Sequence, residues 1–289
     1  MYCSPLNQVK YGKTDGTCYS KRDLQEIAKQ YNNLSKDHKI PLNLPKDELH
    51  DQLEKAFQMV CSGEFCWAEK MSLADKMTHV FRPKKPQEWN EDRYTWLNTY
   101  DILFVMQQYE ELHKDFTFLG VHPIDFAQKN STGACIGDIL CNFHVDLLQK
   151  TNKPKFGMIL NLDPHYKGGS HWVSMYACLD PQSINYGIHY YDSVATPPPK
   201  EAIDFMKLVK KQVKDRKFNI KVNTIQKQTK GTECGMFSIV FLTQCLKNVP
   251  FKTICKRMMT DDDINKLRDV IYTPSNSSRP ILTPLAINV

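Results

Sequence analysis

Residues Gln228 to Phe237 read Gln-Thr-Lys-Gly-Thr-Glu-Cys-Gly-Met-Phe and run straight into the apolar stretch Ser238 to Leu246. Cys234 therefore stands where a glycine-bearing loop turns into a helix. A helix start carries unpaired N–H groups and a partial positive charge, and both favour thiolate over thiol. Gln228 lies six residues upstream, with a side-chain amide able to reach back to the same spot. A lone cysteine there is more often a buried core residue. Nucleophilic chemistry needs a base and a group to orient it.

Those partners lie in Ser170–Asp180 and Tyr186–Ser193, two segments rich in aromatic and β-branched residues around the turn signal Asp180-Pro-Gln-Ser183. An antiparallel hairpin centred between Pro181 and Gln182 sets His171 directly opposite Asp192. Opposed residues share a face with Cβ atoms about 5 Å apart, which suits a His–carboxylate hydrogen bond. A register slip of one residue would put the pair on opposite faces. Of the rival histidines, His165 sits in the polar loop Asp163–Ser170, where a solvated ring is the default, and His189 lies within a strand as a core or sheet-surface residue. Cys234, His171 and Asp192 then have the types needed for thiol acyl transfer: nucleophile, general base and orienting carboxylate.

The set His171-Trp172, Asp192 and Gln228-x5-Cys234-Gly235 resembles the SUMO-specific and adenovirus-type cysteine proteases. The segment Trp96-Leu-Asn-Thr-Tyr-Asp-Ile102 resembles the stretch that opens their catalytic domain, with Thr99 where that pattern has Asp. The likeness is strongest to the polyprotein-processing proteases of large DNA viruses, of the African swine fever virus type. It is carried by Thr232–Gly235, by Tyr191–Ser193 followed by Pro197-Pro-Pro199, and by Thr260–Ile264. The resemblance implies a hydrolase whose His–Asp pair activates Cys234 and whose Gln228 builds an oxyanion hole. It also implies that Trp96, with Trp172, roofs a narrow substrate channel for glycines. The substrates it implies are viral structural polyproteins cut during virion maturation, in the host cytoplasm or the particle. No cofactor is required. Rival readings are a deconjugating isopeptidase on SUMO or a ubiquitin-like protein, and a non-catalytic nucleic-acid-binding virion protein with weak DNA binding through Lys207, Lys210, Lys211, Lys214 and Arg216.

The chain of 289 residues is 41% hydrophobic, enough for one large core or two modest ones. No apolar run approaches the roughly 20 residues needed to span a bilayer, and Met1–Pro5 lacks the start of a signal peptide. Ten cysteines without such a signal are expected to be reduced thiols. With no Cys-x-x-Cys and no partner pair for Cys61-x4-Cys66, no metal site is expected. The net charge of +6 permits contact with acidic partners without requiring it.

The elements that must position these residues give an α+β fold: a central mixed sheet flanked by helices, preceded by a small helical domain. Residues 1–81 are expected to form the N-terminal helical arm or support domain, 82–273 the catalytic domain and 274–289 an extended tail. In the first part, Ser20 and Asp23 form a capping box ahead of Leu24, Ile27, Ala28 and Tyr31. A second helix runs from Pro45 through Leu49, Leu53 and Phe57. Arg82–Gln87 reads as a linker. Helices are expected over Leu97–His113, Cys135–Leu148, Lys200–Arg216, Cys234–Leu246 and Asp261–Tyr272. Strands are expected over Gly157–Leu162, His171–Leu179, Gly187–Asp192 and Phe218–Ile225.

Overall fold

Ser20 accepts from the Asp23 N–H at 3.2 Å while Asp23 accepts from the Ser20 N–H at 2.8 Å, so the capping box forms as its residues dictate. It starts α2 (Lys21–Leu34), which follows the short α1 (Pro5–Lys10). The computed structural model describes residues 2–11 and 16–274; most of the expected tail lies outside them. The chain divides into two compact units, one of residues up to Gln87 with the segment from Asp269 on, the other Glu88–Arg268.

In the first unit, α2 buries Leu24, Ile27, Ala28 and Tyr31 in one core with Leu49, Leu53 and Phe57 of α3 (Lys46–Phe57). Trp67, at the head of α4 (Trp67–Lys70), stacks on Tyr19 and Phe57 with ring centroids 5.9 and 5.7 Å apart. Arg82–Gln87 is not a free linker. The Arg82 N–H bonds the Tyr2 carbonyl at 2.9 Å, and Pro83 and Lys85 pair with Thr273.

The expectation of reduced thiols also fails for six of the ten cysteines. Cys3–Cys18, Cys61–Cys66 and Cys135–Cys141 are disulfides that close loops of 15, 5 and 6 residues. The compartment argument weighs redox surroundings and is blind to such local proximity. Cys178, Cys234, Cys245 and Cys255 are free and buried.

The second unit opens with α5 (Thr99–Leu112), capped by Asn98, whose side chain accepts from the Tyr100 and Asp101 N–H groups at 2.8 and 3.0 Å. Its sheet runs in the order β1 (Phe116–Pro123), β2 (Lys155–Asn161), β3 (Trp172–Cys178), β4 (Gly187–Tyr191), β5 (Ile220–Val222). The outer pairs are parallel and the two inner pairs antiparallel, a mixed sheet as expected. Strand β1 is absent from the sequence reading because Gly120 and Pro123 interrupt its apolar pattern. The single helix expected over Cys135–Leu148 is instead a 3-10 turn at Asp138–Asn142 followed by α6 (Val145–Lys150). Asp138 adopts φ 53°, and a Cβ on Gly137 would lie 2.6 Å from the Phe126 carbonyl, so this segment cannot wind into one continuous helix.

Every residue of β3 is buried, because both faces of the sheet are covered. Val173, Met175 and Ala177 join Ile188 and Tyr190 of β4 in a core with Phe205, Met206 and Val209 of α7 (Lys200–Val213). On the other face, Tyr191 stacks on Phe241 of α8 (Cys234–Leu246) at 4.8 Å. All of α8 except Gln244 is buried, the pattern of a helix driven through the core by apolar residues on every side. The chain then forms α9 (Phe251–Arg257), α10 (Asp261–Lys266) and α11 (Arg268–Ile271), a break at Leu267 replacing the one helix expected there. No helix among the described residues is long and apolar enough to cross a membrane.

Candidate active site

The central core helix α8 starts at Cys234, so burying its apolar residues also fixes the thiol, which is 1% exposed. His171 stands one residue ahead of β3 and Asp192 one residue beyond β4. The hairpin register differs from expectation by two residues. Cys178 pairs with Gly187 and Ser174 with Tyr191, so continuing the ladder sets Val173, not His171, opposite Asp192. The cause is the loop, which contains two successive turns, Asp180–Ser183 and Ser183–Tyr186, rather than one. A shift of two preserves the face where a shift of one would not. His171 and Asp192 thus meet diagonally, with His171 Nε2 and Asp192 Oδ1 2.6 Å apart.

Asp192 is fully buried and held on every side. Its carboxylate accepts from the Val194 and Thr196 N–H groups at 3.0 and 3.2 Å, and its carbonyl accepts from Asn223 Nδ2 at 2.7 Å. Burial alone would push the His171 imidazole down; hydrogen bonds to Asp192 and then to Cys234, with the charges behind them, outweigh it and raise the group to about 9. Nε2 faces the carboxylate, which leaves Nδ1 for the thiol. His171, Asp192 and Cys234 are therefore brought together as one chain of neighbours, with the His171–Asp192 hydrogen bond at its centre.

Gln228 is buried beside this chain. Its Oε1 accepts from Ser193 Oγ at 2.6 Å and its Nε2 donates to the Lys230 carbonyl at 2.8 Å, with a second N–H still to give. Its backbone N–H bonds the Ser193 carbonyl at 3.0 Å, so Gln228 hangs from the residue after Asp192. Asp261, at the start of α10, accepts from the Thr229 N–H and hydroxyl at 2.9 and 2.6 Å, holding the loop between Gln228 and Cys234. Trp172 is buried, and Trp96 is 41% exposed beside Leu97. A Cβ on Gly235 would lie 3.1 Å from Leu97 and 3.3 Å from Trp172, so the glycine after Cys234 lets all three pack closely.

The sequence reading missed Ser193, Asn223 and Asp261. Ser193 is signalled only by adjacency to Asp192; the bonds of Asn223 and Asp261 cross 31 and 32 residues and leave no local trace. His165 is exposed, as expected of its polar loop, and is also paired. Its Nδ1 lies 2.6 Å from Asp125 Oδ2 and its N–H bonds Oδ1 at 3.0 Å, pinning the loop that delivers His171. His189 is the core residue expected, stacked on Phe251 at 4.8 Å. Among the described residues, one group could offer three metal ligands, His50, Asp51 and Glu54 of the first unit, and its two carboxylates are exposed.

A buried thiol on a core helix, beside a histidine that a buried carboxylate orients, on this five-stranded sheet, defines a cysteine protease of α+β fold. Residues 151–277 match the C-terminal catalytic domain of the Ulp1 protease family, and the chain is a cysteine protease. It is 29% identical, over 93% of its length and 92% of the other's, to a protein of Acanthamoeba polyphaga mimivirus described as a thiol protease. A protein of African swine fever virus described as a SUMO-1 cysteine protease is 31% identical over 40% of this chain and 43% of its own length. The crystal structure of an African swine fever virus protease superposes with TM-score 0.65 at 18% identity, covering 95% of this chain and 96% of that one, and shows the shared fold. The catalytic-domain match and the thiol-protease relatives set aside the reading as a non-catalytic nucleic-acid-binding protein.

Proposed function

We propose that the chain is an endopeptidase that cleaves viral structural polyproteins at glycine-rich sites, Gly-Gly-Xaa or Gly-Xaa-Gly-like, during virion maturation. The supporting observation is the His171–Asp192 hydrogen bond beside Cys234 at the start of α8. In this reading the Cys234 thiolate attacks the scissile carbonyl and the His171 imidazolium protonates the leaving amine. Water, deprotonated by His171, then releases the acyl group. Asp192 keeps the ring oriented. The free N–H of Gln228 and the backbone N–H of Cys234 receive the oxyanion, at roughly 3 kcal/mol per donor in comparable sites. Exposed Trp96 and buried Trp172 flank the approach, where aromatic faces admit backbone more readily than Cβ atoms. Cleavage of a peptide library is the test. Glycine is expected at the two positions before the cut, and a preference for a large side chain there would overturn the channel. Cys234→Ala is expected to abolish cleavage without unfolding.

A second reading, deconjugation of SUMO or a ubiquitin-like protein, uses the same chemistry and draws on the description of the African swine fever virus relatives. Faster cleavage of an isopeptide-linked modifier than of any polyprotein site would favour it. Action at assembly sites in the host cytoplasm and within the particle belongs to the first reading. So does a docking role for residues 1–81 as a domain apart from catalytic residues 82–273. The exposed face of α7 is proposed as a weak DNA contact: residues 205–217 carry six Lys/Arg against one Asp, while the whole chain has a net charge of +6.

A further inference from the structure

Arginine is almost never fully buried without partners that use its donors, yet Arg268 is 1% exposed and is the largest fully buried side chain among the described residues. Its Nε donates to Asn265 Oδ1 at 3.0 Å, Nη1 to the Thr95 carbonyl at 2.9 Å and Nη2 to the Thr232 carbonyl at 3.2 Å. The guanidinium lies over the Trp89 ring, 4.4 Å from its centroid. Asn265 extends the network: its Nδ2 donates to Glu233 Oε1 at 2.8 Å, and the other oxygen of Glu233 accepts the Thr232 N–H at 2.9 Å.

Three residues of this network flank the site described above. Thr232 and Glu233 are the two residues before Cys234, and Thr95 is the residue before Trp96. One planar group thus holds the loop that delivers the nucleophile and the segment that delivers the exposed tryptophan. A lysine could supply the charge but not the fork, because an ammonium lacks donors fixed in one plane.

We propose that Arg268 is a positioning residue for acyl transfer. On the reading of Cys234 as nucleophile, it sets the Cys234 N–H and Trp96 at the separation that a scissile carbonyl requires. Amide hydrolysis depends on that separation, since oxyanion donors act only when aimed at the developing charge. Alkylation of the thiolate by iodoacetamide does not: sulfur bonds the methylene carbon, iodide leaves and no oxyanion forms. The two reactions therefore separate positioning from general support of the fold.

The experiment compares the full chain with Arg268→Lys, Arg268→Met and Asn265→Ala. It measures kcat and KM on a Gly-Gly-Xaa peptide and the iodoacetamide rate at Cys234, all below each variant's melting temperature. Both Arg268 variants are expected to lose at least about tenfold in peptide cleavage, mainly in kcat, because small misplacements of reacting groups are costly. Cys234 alkylation is expected to stay within about twofold of the full chain's. Asn265→Ala, which keeps the guanidinium, reports the same split, smaller, should the Arg268 variants not fold. Wild-type cleavage in Arg268→Lys, or an equal fall in cleavage and alkylation, would overturn the inference. If Cys234 of the unmodified chain reacts no faster than Cys178, Cys245 and Cys255, it is the reading of the nucleophile that fails.

Discussion

Trp172 Nε1 donates to the Leu97 carbonyl at 2.9 Å, so the residue after His171 is tied to the residue after Trp96. This bond couples the segment carrying His171 to the segment carrying Trp96, and Gly235 on α8 packs against both of its ends.

Gly235→Ala tests that packing. Alanine is favoured over glycine in a helix by about 1 kcal/mol. Its Cβ would nonetheless sit 3.1 Å from Leu97 Cβ, which a buried, hydrogen-bonded segment cannot readily yield. The expected result is little change in melting temperature with a raised KM on glycine-containing peptides. Trp172→Phe removes the N–H and leaves the Leu97 carbonyl without this donor, at a cost of about 1–3 kcal/mol. Selectivity for glycine, read by library cleavage, is expected to fall with it.

The pH dependence of cleavage follows from His171. The imidazole is raised from its ordinary 6.5 to about 9, so the ring stays protonated across neutral pH. The basic limb of kcat/KM, which reports the free enzyme, is expected near 9. A group raised on folding stabilises the native state fully below its unfolded value and loses that contribution as pH climbs through the folded one. Melting temperature should therefore decline over the same alkaline window. Asp192→Asn is expected to move the basic limb towards neutrality, and its activity loss should be milder than that of His171→Ala because an amide still orients the ring. An unshifted limb would detach Asp192 from His171.

His189 governs the acid side. Burial, with the nearby Lys221 charge, lowers it from 6.5 to about 4, and its Nε2 donates to the Asn185 carbonyl at 3.0 Å. Its folded value is depressed, so the stability it contributes is complete above 6.5 and drains away as pH falls towards 4. His189→Phe, which keeps the stacking on Phe251, is expected to flatten the decline in melting temperature between those limits. It should leave cleavage at neutral pH unchanged.

How much of this was legible in the sequence depends on the range of each interaction. Strands β3 and β4 and helix α8 are apolar runs separated by turn residues, so Cys234, His171 and Asp192 could be proposed from local pattern. Their face was foreseen while their register was not, because a polar loop says little about how many turns it contains. The proximity that lets Cys135 and Cys141 pair is likewise invisible to an argument from compartment. Least legible was Arg268, which lay unremarked within the expected helix Asp261–Tyr272. Its bond to Thr95 spans 173 residues, and only the fold brings that carbonyl to it.

The outer face of α7 offers a separate test. Lys207 and Lys211 fall about 40° apart at helical spacing, opposite buried Ala202, Phe205 and Val209, and Lys214 caps the helix just beyond them. Phe205 and Phe218 are buried, so this segment presents no aromatic platform for unpaired bases, and contact would run through duplex phosphates. Lys207→Glu, Lys211→Glu and Lys214→Glu combined are expected to weaken binding of a labelled duplex, measured by anisotropy. The slope of log affinity against log salt should fall by about three. Peptide cleavage should be unaffected. Unchanged duplex affinity would leave the stripe a solvated helix face.

The role of the first unit is tested by removing it. Residues 2–11 and 16–87 bury a core of their own around Trp67, and two disulfides, Cys3–Cys18 and Cys61–Cys66, lie within it. A shortened chain beginning at Arg82 would keep the pairing of Pro83 and Lys85 with Thr273, so its new end stays hydrogen-bonded. If the removed residues dock substrate, the shortened chain should cut a short glycine-containing peptide at the full chain's rate and a folded polyprotein at least about tenfold more slowly, since losing one linked contact lowers effective concentration without touching the chemistry. An equal loss on both substrates, with a lower melting temperature, would reduce the unit to mechanical support. Full activity on both would remove the docking role altogether.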